Sequence, residues 1–349
     1  MLLPKEALIR QSRYLMKITG SLFLVFLLCL FRPCCPELRA QDTLRTAFLT
    51  PADSFHKGRF WTAAGAGTVI YGGFAYGLYQ SWYKNYELTG FHTFNDLHEW
   101  QQMDKAGHLY TTHFEANLLY AGARWAGIPQ RSAVWTGAGL ALWLQTTVEL
   151  MDGFSAKWGF SWSDMAFNLA GAGLFVGQEY LWQEQRILMK VSSDITRRYP
   201  EGNILASDGT LTSSLQKRAD QLYGESFGER FLKDYNAQTI WASVNIRSFA
   251  GKKSSWPSWL NVAVGYGAEN MFGGFKNVWT EEDAQFVLPA NEYPRYRQFY
   301  LSLDIDLSRI RTKSPILKTF FRCINYLKIP APALEINTLG QVRGHWLHW

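Results

Sequence analysis

The stretch Leu301-Ser302-Leu303-Asp304-Ile305-Asp306-Leu307-Ser308 puts an apolar side chain at every odd position and a polar one at every even position. Successive side chains on a strand point to opposite faces, so this period of two predicts a β-strand with one apolar and one polar face. Trp241 to Ser248 and Trp259 to Gly267 are weaker versions of the same pattern. Pro330 and Pro332 precede a further strand from about Leu334 to Trp346, giving about four antiparallel strands. Four strands are too few to close a membrane barrel, for which bacterial examples need eight or more. Between the last two, Arg309 to Lys328 reads as a basic and apolar connector, a helix lying across the sheet or against a membrane surface.

Upstream the period is helical. Phe60 to Tyr83 carries no charged side chain, contains Gly65, Gly67, Gly72, Gly73 and Gly77, and is flanked by Lys57, Arg59 and Lys84. Such a segment can span a bilayer with its basic flanks outside, or serve as the close-packed central helix of a bundle. Helical stretches are expected at roughly 104–126, 132–151 and 162–188, broken by Gly127-Ile128-Pro129 and by residues 151–161. Ser161-Trp162-Ser163-Asp164 is a helix N-terminal cap, because a serine oxygen and an early carboxylate satisfy the free amides of a first turn. The expected architecture is α+β: an N-terminal bundle of about four apolar helices followed by a C-terminal antiparallel β region. The boundaries are 41–188 for the helical domain, 189–235 for a polar linker around Arg197-Arg198-Tyr199-Pro200 and the Ser/Thr/Asp/Gly-rich run from Ala206, and 236–349 for the β region.

Composition restricts the class. The 349 residues are 18% charged and 16% aromatic, which excludes a solvating, disordered chain. The formal charge of +6 comes from 35 basic and 29 acidic residues, but residues 1–40 hold six of the basic and two of the acidic ones. The remainder is nearly balanced, which argues against nucleic acid as a partner. Those forty residues read as a leader: Met16-Lys17 is a basic start, and Leu22 to Leu30 a short apolar run. Leu38-Arg39-Ala40 then puts a small residue where a signal peptidase cuts, so a mature chain is expected to begin near Gln41, with residues 1–15 as an upstream extension. An uncleaved anchor helix is the other reading of the same run. Of the four cysteines, Cys29, Cys34 and Cys35 fall in the leader, leaving Cys323 and no intramolecular disulfide. Neither Cys29 nor Cys34 follows the small residue that lipoprotein processing requires.

The ionisable residues set into apolar helices carry the chemistry. Asp104 and His108 lie one turn apart on one face, with Lys105 beside them and Thr111, Thr112 and Glu115 continuing nearby. Gln145 and Glu149 repeat the spacing in the next long helix, and Asp164 and Asn168 in the last, with Gly171 following. Charged groups on an apolar face must be paired, hydrated or bound to a cation. Three arrangements satisfy that demand. His108, Glu149 and Asp164 can hold a divalent metal, the one cofactor these residues suggest. A carboxylate and histidine can work as general base and acid, with Lys105 on an anionic group. Or the groups neutralise one another in a network that fixes the helix packing. Spacing alone favours the network, since structural clusters gather the same residues. No residue is assigned a catalytic role, and whether the protein is an enzyme stays open. His113, off this stripe, reads as an exposed or core histidine.

Asp104-Lys105-x-x-His108, then Glu149, then Gly159-Phe160-Ser161-Trp162-Ser163-Asp164-x-x-x-Asn168-x-x-Gly171, resembles the predicted periplasmic lipoprotein family known as domain of unknown function 2279. The same order is similar to VanZ-like membrane proteins. The resemblance covers about residues 60–185. The first family implies a cell-envelope location and the second implies helices in or against a bilayer; neither implies a reaction. The chain departs from the first in lacking the lipoprotein cysteine, and its C-terminal strands lie outside the resemblance.

The sequence contains no phosphate-binding loop, no His-Glu-x-x-His and no Cys-x-x-Cys pair. His345 and His348 can bind metal but read as part of a surface or interface tail. Trp82, Tyr83, Trp125 and Trp158 near helix ends suit an interfacial belt or an ordinary core. The expected protein is therefore an exported, periplasmic or outer-membrane-associated envelope component, structural or lipid-interacting. A metal-assisted or acid/base hydrolase of a lipid-linked or cell-wall substrate is the alternative. Its expected partners are membrane or lipid, and a protein docked by edge pairing on the C-terminal strands.

Overall fold

A computed structural model describes residues 48–83, 86–194, 196–251 and 253–349. The expected leader, with its three cysteines, lies outside them. The chain divides into two units, one of Met1–Asn95 and Glu115–Met165, the other of Asp96–Phe114 and Ala166–Trp349.

The first unit is helical. Helix α1 runs Lys57–Leu78 and continues as a π-helical turn over Tyr79–Tyr83. Among the described residues no helix is long and apolar enough to cross a membrane, which corrects the expectation of a span over Phe60 to Tyr83. Its five glycines and its threonines dilute the apolar content below what a bilayer core demands. Helix α2 covers Met103–Trp125 and α3 Gln130–Gly153. Between them Gly127 has φ +82°, and an added Cβ would lie 1.9 Å from the Ser54 carbonyl oxygen, so only glycine fits this turn. A Cβ at Gly137 would come within 2.5 Å of the Ala116 carbonyl oxygen, which is why α3 can lie directly on the second half of α2. Helix α4, Trp162–Trp182, starts on the expected cap, with Ser161 Oγ accepting from the Asp164 amide at 3.0 Å.

The second unit is built on an antiparallel sheet of six strands in the order β1-β4-β5-β8-β9-β10: Ile187–Ser193, Gln238–Val244, Leu260–Glu269, Tyr296–Ile305, Ala331–Asn337 and Val342–His348. The chain is thus α+β, helices first and sheet last. The two strands beyond the expected four have separate origins. β1 lies at the start of the stretch read as a polar linker, where Lys190 and Ser192 mask a short strand. The run Leu334 to Trp346 is two strands, because Gly340 at φ +76° turns the chain between them. The rest of 189–235 carries the small pair β2 and β3, Ile204–Leu205 and Thr212–Ser213, and helices α5 and α6, Leu215–Tyr223 and Phe227–Lys233. A short helix α7, Ile246–Ala250, follows β4, and the hairpin β6 and β7, Val278–Glu281 and Ala284–Val287, follows β5. The basic connector contains helix α8, Pro315–Ile324, capped by Ser314.

The sheet rolls. His348 on β10 reaches Thr239 on β4, Nε2 to Oγ1 3.2 Å, although three strands separate the two in the sheet. On the other edge, Val191 of β1 donates to the Tyr326 carbonyl and accepts from Lys328, tying that edge to the segment entering β9. One outer face of the roll is covered: Met103, Leu109 and Leu174 from the helices of this unit pack with Met189, Val191 and Ile240. An aromatic core of Tyr199, Tyr223, Phe272, Trp279 and Phe286 joins α5 to the β6-β7 hairpin.

Candidate functional site

In the second unit the start of α2 supplies Asp104, Lys105, His108 and Thr112, and α4 supplies Asn168. Lys105 is fully buried, and its Nζ lies 2.8 Å from Asp96 Oδ2 and 3.0 Å from Asp104 Oδ2. The other Asp104 oxygen accepts from the Tyr235 hydroxyl at 2.8 Å. Burial raises the Asp104 carboxyl, but the charges of His108 and Lys105, with the hydrogen bonds from Lys105 and Tyr235, outweigh it and hold the group below the ordinary carboxylate range. One turn along α2, His108 places Nε2 3.9 Å from Asp104 Oδ1 and Nδ1 3.1 Å from Asn168 Oδ1. The Thr112 hydroxyl donates to the same Asn168 oxygen at 2.9 Å. In this amide orientation Oδ1 only accepts, so the His108 Nδ1 carries the hydrogen of the bond they share. Asn168 is fully buried, and its Nδ2 has no hydrogen-bond partner among the described residues.

The two helices approach closely because Gly171 has no side chain: a Cβ there would lie 2.5 Å from the Leu109 carbonyl oxygen. His113, next to Thr112, is fully buried. Desolvation pushes its imidazole down to about 4 against the opposing effect of a hydrogen bond with Gln185.

In the first unit Glu149 is buried and its Oε2 accepts from the Ser161 amide at 3.2 Å. Gln145, paired by spacing with Glu149, donates instead to Glu115 at 2.9 Å. Asp164 is buried in the capped first turn of α4. The structure therefore joins Asp104, Lys105, His108 and Asn168 in the second unit, while Glu149 and Asp164 belong to the first.

Two members of the Lys105 cluster escaped the sequence reading. Asp96 lies outside any periodic segment, and Tyr235 is contributed from 131 residues further along the chain. Their signal is indirect: a buried lysine demands a paired charge and further hydrogen-bond partners, and the one carboxylate within Lys105's own helix turn is Asp104. His345 and His348 are corrected as well. They sit in β10, not in a tail; His345 Nε2 is 2.7 Å from the buried Glu335, and the His348 ring stacks 4.2 Å from Tyr300.

Residues 93–178, 86 of the 349, match the family model of the predicted periplasmic lipoproteins called DUF2279. The matched segment holds Asp96, Asp104, Lys105, His108, Glu149, Asp164 and Asn168, and ends before the sheet. No curated protein and no solved structure matches the chain. The description of this family carries an exported, cell-envelope location.

Proposed function

We propose that the protein is a structural component of the cell envelope whose buried polar residues fasten its helices in place. The observation that carries this reading is the internal saturation of Lys105: its ammonium is held by two carboxylates, and one of these is held in turn by Tyr235. A lysine presented to a substrate keeps a face toward solvent, whereas this one has none. Glu149 and Asp164 suit the same role in the first unit, where Glu149 binds the Ser161 amide and Ser161 caps the helix that carries Asp164.

His108 favours a second reading. A histidine whose Nδ1–H is held by an amide oxygen turns its Nε2 toward the neighbouring carboxylate, as histidine ligands of metals do. In that reading Asp104 and His108 contribute to a divalent-cation site of a hydrolase acting on an envelope substrate.

Elemental analysis of the purified chain, with thermal melts of wild type, His108→Ala and Asp104→Asn, separates the two. The structural reading expects no stoichiometric metal and lowered melting in both variants. A stoichiometric metal that is lost from a His108→Ala variant melting like wild type overturns it.

A further inference from the structure

The polarity of the rolled sheet is inverted. On β5, β8 and β9 the buried positions are polar or small: Asn261, Ala263 and Gly265; Tyr300, Ser302 and Asp304; Ala333, Glu335 and Asn337. The exposed positions between them are apolar, with Val264 53%, Leu301 53%, Leu334 45% and Ile336 51% accessible, and Val342 at the start of β10 is 65% accessible. The register turns these into continuous rows. Val264 lies opposite Leu301 and Leu301 opposite Leu334; Tyr266, Phe299, Ile336 and Val342 form the neighbouring row across four strands. The cover supplied by the helical segments ends at Tyr266, whose hydroxyl binds the Gln101 carbonyl. Beyond it none of the described helical segments covers the wall.

An apolar face left over from a water-soluble core would be the inner face. Here the inner face is already filled, by Trp241, by Tyr300 and by charges that neutralise one another, among them Lys190 and Asp304 at 2.7 Å. A register slip of one residue would exchange the faces and bury the leucines, so in water this arrangement is the unfavourable one. Apolar-out and polar-in alternation is what a strand in contact with lipid requires.

Helix α8 joins β8 to β9 and supplies the matching headgroup contact. It exposes Ile316, Leu317 and Phe320. The stretch 309–328 carries six basic residues and no acidic one, with Arg311, Lys313, Lys318 and Arg322 exposed. A short amphipathic helix with a basic flank lies in the plane of an anionic interface.

We propose that the outer face of β5, β8, β9 and β10 is embedded in the hydrocarbon of a bilayer, and that α8 rests on its anionic headgroups. This surface is separate from the Lys105 cluster and stands or falls without it.

The test incorporates photo-crosslinking p-benzoylphenylalanine at Leu301 or Leu334 of the full chain, with exposed Glu201 as the control, in vesicles of phosphatidylethanolamine and phosphatidylglycerol. Lipid adducts at positions 301 and 334 but not at 201 are expected. Adducts to a second copy of the chain would make the wall a dimer interface and overturn the proposal. Absence of lipid adducts at both positions would overturn it equally. A second measurement needs no change in the sheet: Lys318→Gln and Arg322→Gln should each weaken binding to phosphatidylglycerol-containing vesicles roughly fivefold and leave binding to pure phosphatidylcholine unchanged. Equal effects on both vesicles, or none, would remove α8 from the interface.

Discussion

Lys190 and Asp304 face each other across the inside of the rolled sheet, Nζ to Oδ2 2.7 Å, with both side chains fully shielded from solvent. Each is further satisfied: Lys190 donates to the Ile305 carbonyl at 2.9 Å, and Asp304 accepts from the Ser243 hydroxyl at 2.6 Å. Removing one partner strands the other charge in a site that water cannot reach. Asp304→Asn is expected to cost about 3–5 kcal/mol of stability, and Lys190→Met a similar amount. The double variant should cost clearly less than the sum of the two, because no uncompensated charge remains. Thermal unfolding of the four proteins measures this; additive losses would show that the pair does not act as a unit.

The Lys105 cluster makes a prediction with a pH signature. Lys105→Met leaves Asp96 and Asp104 without their shared cation and should destabilise by about 3–5 kcal/mol. Asp104 is held below the ordinary carboxylate range, so its contribution is fully present above the unfolded carboxylate pKa and disappears as pH falls through the folded value. Without Lys105 the effect of burial, which raises the carboxyl, is less opposed, so this loss shrinks and the variant closes part of its gap to wild type as pH falls. Melting temperature followed between pH 6 and 3 for wild type and Lys105→Met checks it, and curves that stay parallel would refute the linkage.

His113 is a buried neutral imidazole whose pKa lies at about 4, below the ordinary 6.5. Between these values the unfolded chain takes up a proton that the folded chain refuses, so stability falls as pH drops from 6.5 toward 4. The full loss is about 3 kcal/mol, from about 1.4 kcal/mol per pKa unit. His113→Gln should flatten the stability profile over that window while leaving the region above pH 7 parallel to wild type. Denaturant midpoints at half-unit pH steps would show the difference, and an unchanged slope would mean that His113 is protonated in the native state.

Much of this architecture is legible in the chain. The alternation at Leu301 to Ser308 marks β8, the Ser161 cap marks the start of α4, and the spacing of Asp104 with His108 and of Asp164 with Asn168 finds the polar face of the helices. What escapes is whatever depends on distant partners. The alternation is the same whether leucine or serine faces inward; the choice is made by Lys190 on β1 and Ser243 on β4, which supply Asp304 with its partners. β1 hides because Lys190 and Ser192 interrupt an apolar run, and their burial is intelligible only when the sheet rolls over them. Gln145 and Glu149 have equally regular spacing, yet Gln145 turns to Glu115 on a neighbouring helix. Asp96 and Tyr235 have no periodic context at all, and only the buried charge of Lys105 calls for them.

Gly171 and Gly173 lie two residues apart on α4 and should respond oppositely to the same added methyl group. A Cβ at Gly171 would sit 2.5 Å from the Leu109 carbonyl oxygen and 3.1 Å from the His113 amide nitrogen, both backbone atoms that cannot rotate away. Relief requires α4 to move off α2, which also pulls Asn168 from His108 and Thr112. Gly171→Ala is therefore expected to destabilise by at least about 2 kcal/mol. At Gly173 nothing lies within 4 Å of the added atom. There the substitution only removes backbone freedom from the unfolded chain and improves helix propensity, so Gly173→Ala should stabilise by about 0.5–1 kcal/mol. Thermal melts of the two single variants decide the point. Equal shifts would mean that the helices do not pack through Gly171, and the His108 to Asn168 hydrogen bond would lose its structural support.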